Sequence, residues 1–233
     1  DIYVSNLYAS LADADDSQRL AAGQTLAILD LLRSVVNILF ILVFAVGLSG
    51  VLRTLRQYAW EENVHLATDI GKGIKDNYLH TAAIGALAGL IYALCLMVYY
   101  TAPSYSSSLT AVISMLPIGI SAFVVLPILM IALVMVPVYS NRLWATLKNA
   151  FFIYTRCLLK VLLGFLISFV VWIPSMIPNF YCHILGSIFG VLLTPIVLLG
   201  WTLFCYNCFD RHLNPLVCPQ LIGKGIVTHT ENH

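Results

Sequence analysis

Long apolar runs without a charged residue constrain this chain more than any other feature. The run SVVNILFILVFAVGLSGVL, residues 34–52, contains no Asp, Glu, Lys or Arg. A helix of this length and composition is enough to cross the ~30 Å hydrocarbon core of a bilayer. Similar runs occupy about 81–101, 110–138, 161–178 and 184–206. The sequence therefore predicts an all-α fold, a polytopic transmembrane helical bundle with five spans.

The overall composition agrees with a chain that is surrounded mainly by lipid. Hydrophobic residues make up 60% of the sequence and charged residues 10%, whereas a soluble domain carries about 25% charge. The net charge of +1 excludes a strongly basic nucleic-acid binder. We therefore expect the lipid bilayer as the principal partner and no nucleic acid.

Three regions follow from this pattern. Residues 1–25 are predicted to be a polar extracytoplasmic segment, residues 26–207 the bundle, and residues 208–233 a cytoplasmic tail. A helix is expected to begin near Ser17 and to continue into the first span. Because position 1 is Asp rather than Met, an alternative is that a sixth span lies upstream of residue 1.

The distribution of Lys and Arg predicts the orientation of the bundle. With five spans, the loops after spans one and three share one side with the C-terminal tail. That side carries ten of the 12 Lys and Arg residues, and only Arg19 and Arg33 fall on the other. An excess of Lys and Arg marks the cytoplasmic side, so we expect a multi-pass cell-membrane protein with residue 1 outside and the C-terminus inside.

Residues 57–78 form a charge-rich stretch between the first two spans. Apolar residues recur there at helical spacing: Trp60, Val64, Ala67, Ile70, Ile74 and Tyr78. This pattern predicts an amphipathic helix on the cytoplasmic membrane surface, although Gly71 and Gly73 weaken it. The alternative is an ordinary solvated loop.

Two further patterns concern helix packing. Residues 139–160 predict a second surface helix that leads into span four, with Leu143, Leu147, Ala150 and Tyr154 on one face. The pairs Gly85/Gly89 and Gly186/Gly190 are spaced to let another helix approach closely, or are simply glycines tolerated in apolar helices.

The third span contains Pro117, Pro127 and Pro137. Each interior proline removes a backbone hydrogen bond and pushes on the preceding turn. We expect this span to be kinked or broken. A broken span predicts a midplane substrate site, as in some transporters, and a kink used only for packing is the alternative.

Chemical motifs are scarce along the chain. The span centres lack Asp, Glu, Lys and Arg, and neither HExxH nor GxSxG occurs. Cys205 and Cys208 have CxxC spacing, but no second ligand pair lies at suitable distance, which favours buried apolar roles over zinc. We expect no enzyme activity, no catalytic residue, no cofactor and no metal site.

Three stretches resemble the YesL-like family of bacterial integral membrane proteins. They are GLSGVLRTLRQYAWEENVHLATDIGKGIKDNY, VPVYSNRLWATLKNAFFIYTRCLLKVLL, and LFCYNCFDRHLNP followed by PQLIGKGI. The resemblance implies a membrane protein, often with six spans and sometimes associated with carbohydrate uptake, without an established activity. It supplies no functional residues.

The predicted function depends on the position of the charged residues, most of which lie on the predicted cytoplasmic side. We expect a non-enzymatic accessory or scaffold protein whose cytoplasmic surface contacts a partner protein or lipid. The candidate interaction surface is Trp60, Glu61, Glu62, Asp69, Lys72, Lys75 and Asn77. The alternative is a small carrier or permease component with a substrate site at Pro117, Pro127 and Pro137.

Overall fold

Helices account for nearly all of the structure. The computed structural model describes residues 16–60, 63–101, 108–139, 141–177 and 180–223, and no strand occurs among them. In chain order the helices are α1 (Asp16–Ala59), α2 (Leu66–Thr101), α3 (Ser108–Ile120), α4 (Leu126–Met135), α5 (Leu143–Arg156), α6 (Leu158–Val170), α7 (Phe180–His212) and α8 (Asn214–Val217). The predicted all-α fold is confirmed.

Within the described ranges, four stretches are long and apolar enough to cross a membrane. They are Leu31–Ala59, Leu66–Tyr99, Val112–Met135 and Tyr181–His212. A fifth crossing is available if α5 and α6, which meet at 99°, are counted as one bent pair. Large apolar side chains cover the outside of these helices, as expected where lipid is the solvent.

Glycines bring α1 and α2 together as an antiparallel hairpin. A Cβ on Gly73 would lie 2.8 Å from the Cα of Gly50, and one on Gly85 would lie 2.7 Å from the Cβ of Ala45. Farther along, a Cβ on Gly89 would lie 3.1 Å from the Cα of Ile38. The close-packing interpretation of Gly85 and Gly89 is confirmed, and their partner is α1.

The predicted separate surface helix over residues 57–78 is wrong. α1 continues to Ala59, and α2 begins at Leu66 and runs without a break to Thr101. Residues 66–78 are therefore the first turns of the second span's own helix. Gly73 belongs to the contact with α1, so its packing outweighs its weak intrinsic helix propensity.

The third span is continuous rather than broken. α3 and α4 are joined by a π-helical turn, Ser121–Val125, whose flanking residues keep right-handed helical backbone angles. Pro127 stands in the first turn after this segment. It has no N–H to offer the Phe123 carbonyl four residues earlier, and the Tyr154 hydroxyl donates to that carbonyl at 2.9 Å.

The predicted second surface helix corresponds to α5, which ends at a sharp bend at Cys157. Its predicted inner face is confirmed at Ala150 and Tyr154, which are both buried. α6 has 13 residues, which at 1.5 Å per residue is about 20 Å and shorter than the predicted fourth span over 161–178.

The segment after α6 packs along the start of α7. A Cβ on Gly190 would lie 2.8 Å from the Trp172 ring, and one on Gly186 would lie 2.5 Å from the Pro174 carbonyl carbon. Gly186 and Gly190 therefore make room for the connection between α6 and α7, which folds back along α7, and not for another span.

Candidate functional site

Polar side chains converge at the end of the bundle where α1 finishes and α2 starts. A pocket of about 460 Å³ opens there, between these two helices and the connection from α4 to α5. Its polar lining includes Arg53, Arg56, Asp76, Asn77, His80 and Thr146. We refer to it as the arginine pocket.

Arg53 forms an ion pair across the helix hairpin. Its Nη1 lies 2.5 Å from Oδ2 of Asp76, and the two side chains are 21% and 54% exposed. The Arg53 Nε is buried and has no hydrogen-bond partner among the described residues. A guanidinium carries five N–H donors. The contact with Asp76 uses one of its nitrogens, so much of the hydrogen-bonding capacity of Arg53 is unused.

Arg56 lies one turn farther along α1 and ties the hairpin to the third span. Its Nη1 donates to the Pro137 carbonyl at 2.6 Å. The guanidinium carbon lies 4.9 Å from the centre of the Trp60 ring, a distance suited to a cation–π interaction. Arg56 therefore holds the turn that forms one wall of the pocket.

The opposite walls come from α2 and the beginning of α5. The Asn77 amide donates to the Gly73 carbonyl at 3.1 Å, which leaves its oxygen for other contacts. The α5 N-cap, Arg142, makes no side-chain capping bond. The first intrahelical donor is the Thr146 N–H, so the preceding amides of that turn have no intrahelical acceptor.

A second polar cluster holds the C-terminal segment against the same end. The Tyr139 hydroxyl donates to Asn214 Oδ1 at 2.5 Å, and the Asn214 amide donates to Asp210 Oδ1 at 2.5 Å. The Gly223 N–H also reaches Asp210, at 3.2 Å. Burial raises the pKa of Tyr139 well above its ordinary value, so its hydroxyl stays protonated and remains a donor at physiological pH.

The predicted interaction surface separates into buried and exposed members. Asp69 is buried, and its carboxylate accepts the His65 N–H at 2.7 Å, which caps the start of α2. Lys72 and Lys75 are exposed near the tip of the hairpin. Asn77 lines the arginine pocket.

The remaining predicted members have different positions. Trp60 is half-buried and packs under Arg56, whereas Glu61 and Glu62 lie outside the described residues. Among the described members of the predicted surface, Lys72 and Lys75 therefore combine a charged side chain with clear exposure.

The three prolines do not surround one site. Pro117 is exposed on α3, Pro127 is buried in the core, and Pro137 lies in the turn after α4, where it lines the arginine pocket. Beside the π-helical turn lies a cavity of about 570 Å³ whose walls are almost entirely apolar, formed by Ile91, Cys95, Ile118 and Leu126 among others.

Sequence reasoning placed Arg53, Arg56, Asp76 and His80 on the basic side of the bundle but not in the candidate site. One signal was available: Arg53 and Arg56 are three residues apart at the end of a span, so both point to the same side of the helix. The pairing with Asp76 depends on the register of the hairpin, which the glycines determine.

Cys205 and Cys208 of the CxxC motif are both buried in the core and form no disulfide. In the described part of the chain, no three His, Cys, Asp or Glu side chains are arranged to hold a metal ion.

Comparisons with known proteins do not connect this arrangement with a described site. No family model matches the chain, and no curated protein and no solved structure matches it.

Proposed function

We propose that this is a non-enzymatic accessory or scaffold protein of the cell membrane that acts through the polar end of its bundle. The observation that carries the proposal is the contrast between the two parts of the molecule. Polar pairs, the arginine pocket and exposed lysines gather at one end, whereas the span centres carry no Asp, Glu, Lys or Arg side chain. An ion- or proton-coupled carrier ordinarily keeps such a group within the membrane.

The surface proposed to contact a partner protein is the tip of the α1–α2 hairpin. Lys72 and Lys75 are exposed there and project from the first turns of α2. The hairpin is a rigid support, because Gly50 and Gly73 hold its two helices in close contact. Exposed charges on a rigid element favour specific docking by electrostatic complementarity.

The outer face of α5 is proposed to lie on the lipid surface. Trp144 is 78% exposed, and Lys148 and Phe151 follow it on the same side of the helix. Aromatic and basic residues on one helix face suit the headgroup region. With the excess of Lys and Arg at this end, we propose that it faces the cytoplasm.

A carrier or permease component is the second candidate, favoured by the cavity beside the π-helical turn. Its apolar walls suit an apolar solute rather than a carbohydrate, because a sugar needs hydrogen-bonding groups.

Membership of the YesL-like family remains part of the proposal. The stretches that carry that resemblance include the polar ends of spans one and three, which build the arginine pocket.

The proposal is tested by reversing charge at the hairpin tip. The full chain carrying K72E/K75E is affinity-purified from its own membranes in mild detergent and compared with K148E/K160E, which changes charge equally on α5 and α6. We expect K72E/K75E to lose several-fold of the co-purifying proteins and K148E/K160E to retain them. Unchanged recovery with K72E/K75E would overturn the proposal.

A further inference from the structure

We propose that the arginine pocket binds the phosphate group of a phosphate ester, supplied either by an anionic phospholipid or by a soluble metabolite. This inference goes beyond the proposed function, which concerns the exposed tip of the hairpin. It rests on the charge, the unused donors and the position of the pocket.

The charge of the pocket lining favours an anion. Two guanidinium groups, from Arg53 and Arg56, face one carboxylate, from Asp76. The Asp76 side chain is 54% exposed, so water screens it and it neutralises only part of the Arg53 charge. His80 lines the same space and adds a further donor or a positive charge when protonated.

The hydrogen-bonding groups in the pocket are mostly donors. Arg53 uses one terminal nitrogen on Asp76, and its other terminal nitrogen makes no hydrogen bond in the described residues. Arginine suits phosphate oxygens because its planar fork of N–H groups matches their spacing. Among the acceptors of the lining, the Pro137 carbonyl already accepts from Arg56 and Asp76 accepts from Arg53.

The beginning of α5 adds to the same preference. Asn141 and Thr146 line the pocket on either side of its first turn. That turn has no side-chain cap, and the positive end of a helix dipole stabilises a nearby anion. This contribution supports the arginines and does not define the site by itself.

The pocket lies at the level where the apolar surface of the bundle ends. On α1 the exposed apolar residue before Arg53 is Val51, and on α2 exposed Tyr78 and Leu79 follow Asp76 closely. Toward the hairpin tip such residues become sparse, with Tyr58 and Leu66 the exposed large apolar ones among the described residues of the two helices. Lipid phosphates lie at this boundary, and basic pockets between spanning helices bind anionic headgroups. The volume of about 460 Å³ admits a phosphate with its attached alcohol.

The test uses the purified full chain in phosphate-free detergent or in nanodiscs. One arm titrates soluble glycerol 3-phosphate by calorimetry. The other counts bound lipids by native mass spectrometry after exposure to phosphatidylglycerol or to phosphatidylcholine. Saturable binding in the first arm identifies a soluble ester, and retention of phosphatidylglycerol over phosphatidylcholine in the second identifies a lipid.

Three variants connect binding to the pocket. R53Q is expected to weaken it about tenfold, since a charge-assisted hydrogen bond is lost. D76N is expected to strengthen it, because the competing carboxylate is removed. K160Q/R211Q changes two exposed residues outside the pocket, lowers the charge there and is expected to leave binding unchanged. If R53Q does not fold, the opposite sign expected for D76N still tests the assignment.

Two outcomes would overturn the proposal. One is the absence of saturable binding in both arms. The other is an equal loss in R53Q and K160Q/R211Q, which would indicate attraction to the general charge of this end. The result is independent of partner recovery by K72E/K75E, so the two proposals can fail separately.

Discussion

At the scale of single residues, the Tyr154 hydroxyl compensates for a backbone hydrogen bond that Pro127 cannot make. In α-helical spacing an N–H at position 127 would reach the Phe123 carbonyl, and the Tyr154 hydroxyl donates to that carbonyl across 31 residues of sequence. A polar group without a partner is costly in an apolar interior. Tyr154 therefore lets a proline remain inside a continuous span.

This pairing predicts that the effect of Y154F depends on residue 127. In the natural chain, Y154F should destabilise the fold by about 1–2 kcal/mol, because the Phe123 carbonyl loses its donor. In a P127A background the alanine N–H can serve that carbonyl, so the same substitution should cost clearly less. Thermal unfolding of the natural chain, Y154F, P127A and P127A/Y154F in one detergent measures the cost of Y154F in both backgrounds. Equal costs in the two backgrounds would contradict the assigned role.

The sequence revealed the prolines but not how they are accommodated. Three prolines in one span predict a kink or a break, and both remained open. The outcome depends on Tyr154, which comes from α5 and reaches the span only in the folded protein. A contact between residues so far apart in sequence has no signature in local composition.

At the scale of elements, glycine contacts determine the register between α1 and α2. Gly50 and Gly73 meet near the polar end, and Gly85 and Gly89 contact α1 farther along. This register places Asp76 opposite Arg53 and so forms one wall of the arginine pocket. Spacing predicted Gly85 and Gly89 correctly, whereas Gly73 looked like a weakness in a surface helix.

Two neighbouring glycines provide a matched test of this packing. G73A should destabilise the protein, because its Cβ would lie 2.8 Å from the Gly50 backbone. G71A has nothing within 4 Å of the new Cβ and should stabilise the helix by up to about 1 kcal/mol. Unfolding midpoints in detergent should therefore shift in opposite directions. A similar shift for both variants would show that the hairpin contact is not important for stability.

At the scale of the whole molecule, the contacts require the chain between α5 and α7 to cross the bundle. α5 begins beside the arginine pocket, and α7 ends near the same pole, where Asn214 bonds Tyr139. Since α7 is a helix of 33 residues, about 50 Å long, its first residues lie at the opposite end. α6 and the connection to Ile177 must therefore cover that distance, although α6 alone is short.

The long apolar helices were predictable because they follow from local composition. The described residues contain four stretches long enough to cross a membrane, or five if α5 and α6 are counted as one bent pair, and the cytoplasmic orientation stays a prediction. The arginine pocket was not predictable, because its walls come from three parts of the chain. Arg53, Asp76 and Thr146 are separated in sequence and meet only through helix register and the turn at Pro137. Identifying the pocket required the tertiary structure.

The central claim is that the α1–α2 hairpin tip, the α4–α5 connection and the C-terminal segment share the cytoplasmic side of a membrane. Single cysteines at Lys75, Lys148 and Gln220, and one at Tyr181 for the other side, can be labelled with a membrane-impermeant maleimide and compared with the parent chain. We expect added labelling of the Tyr181 position in intact cells and of the other three only after permeabilisation. Labelling of the Lys75 and Lys148 positions from opposite sides would contradict the account.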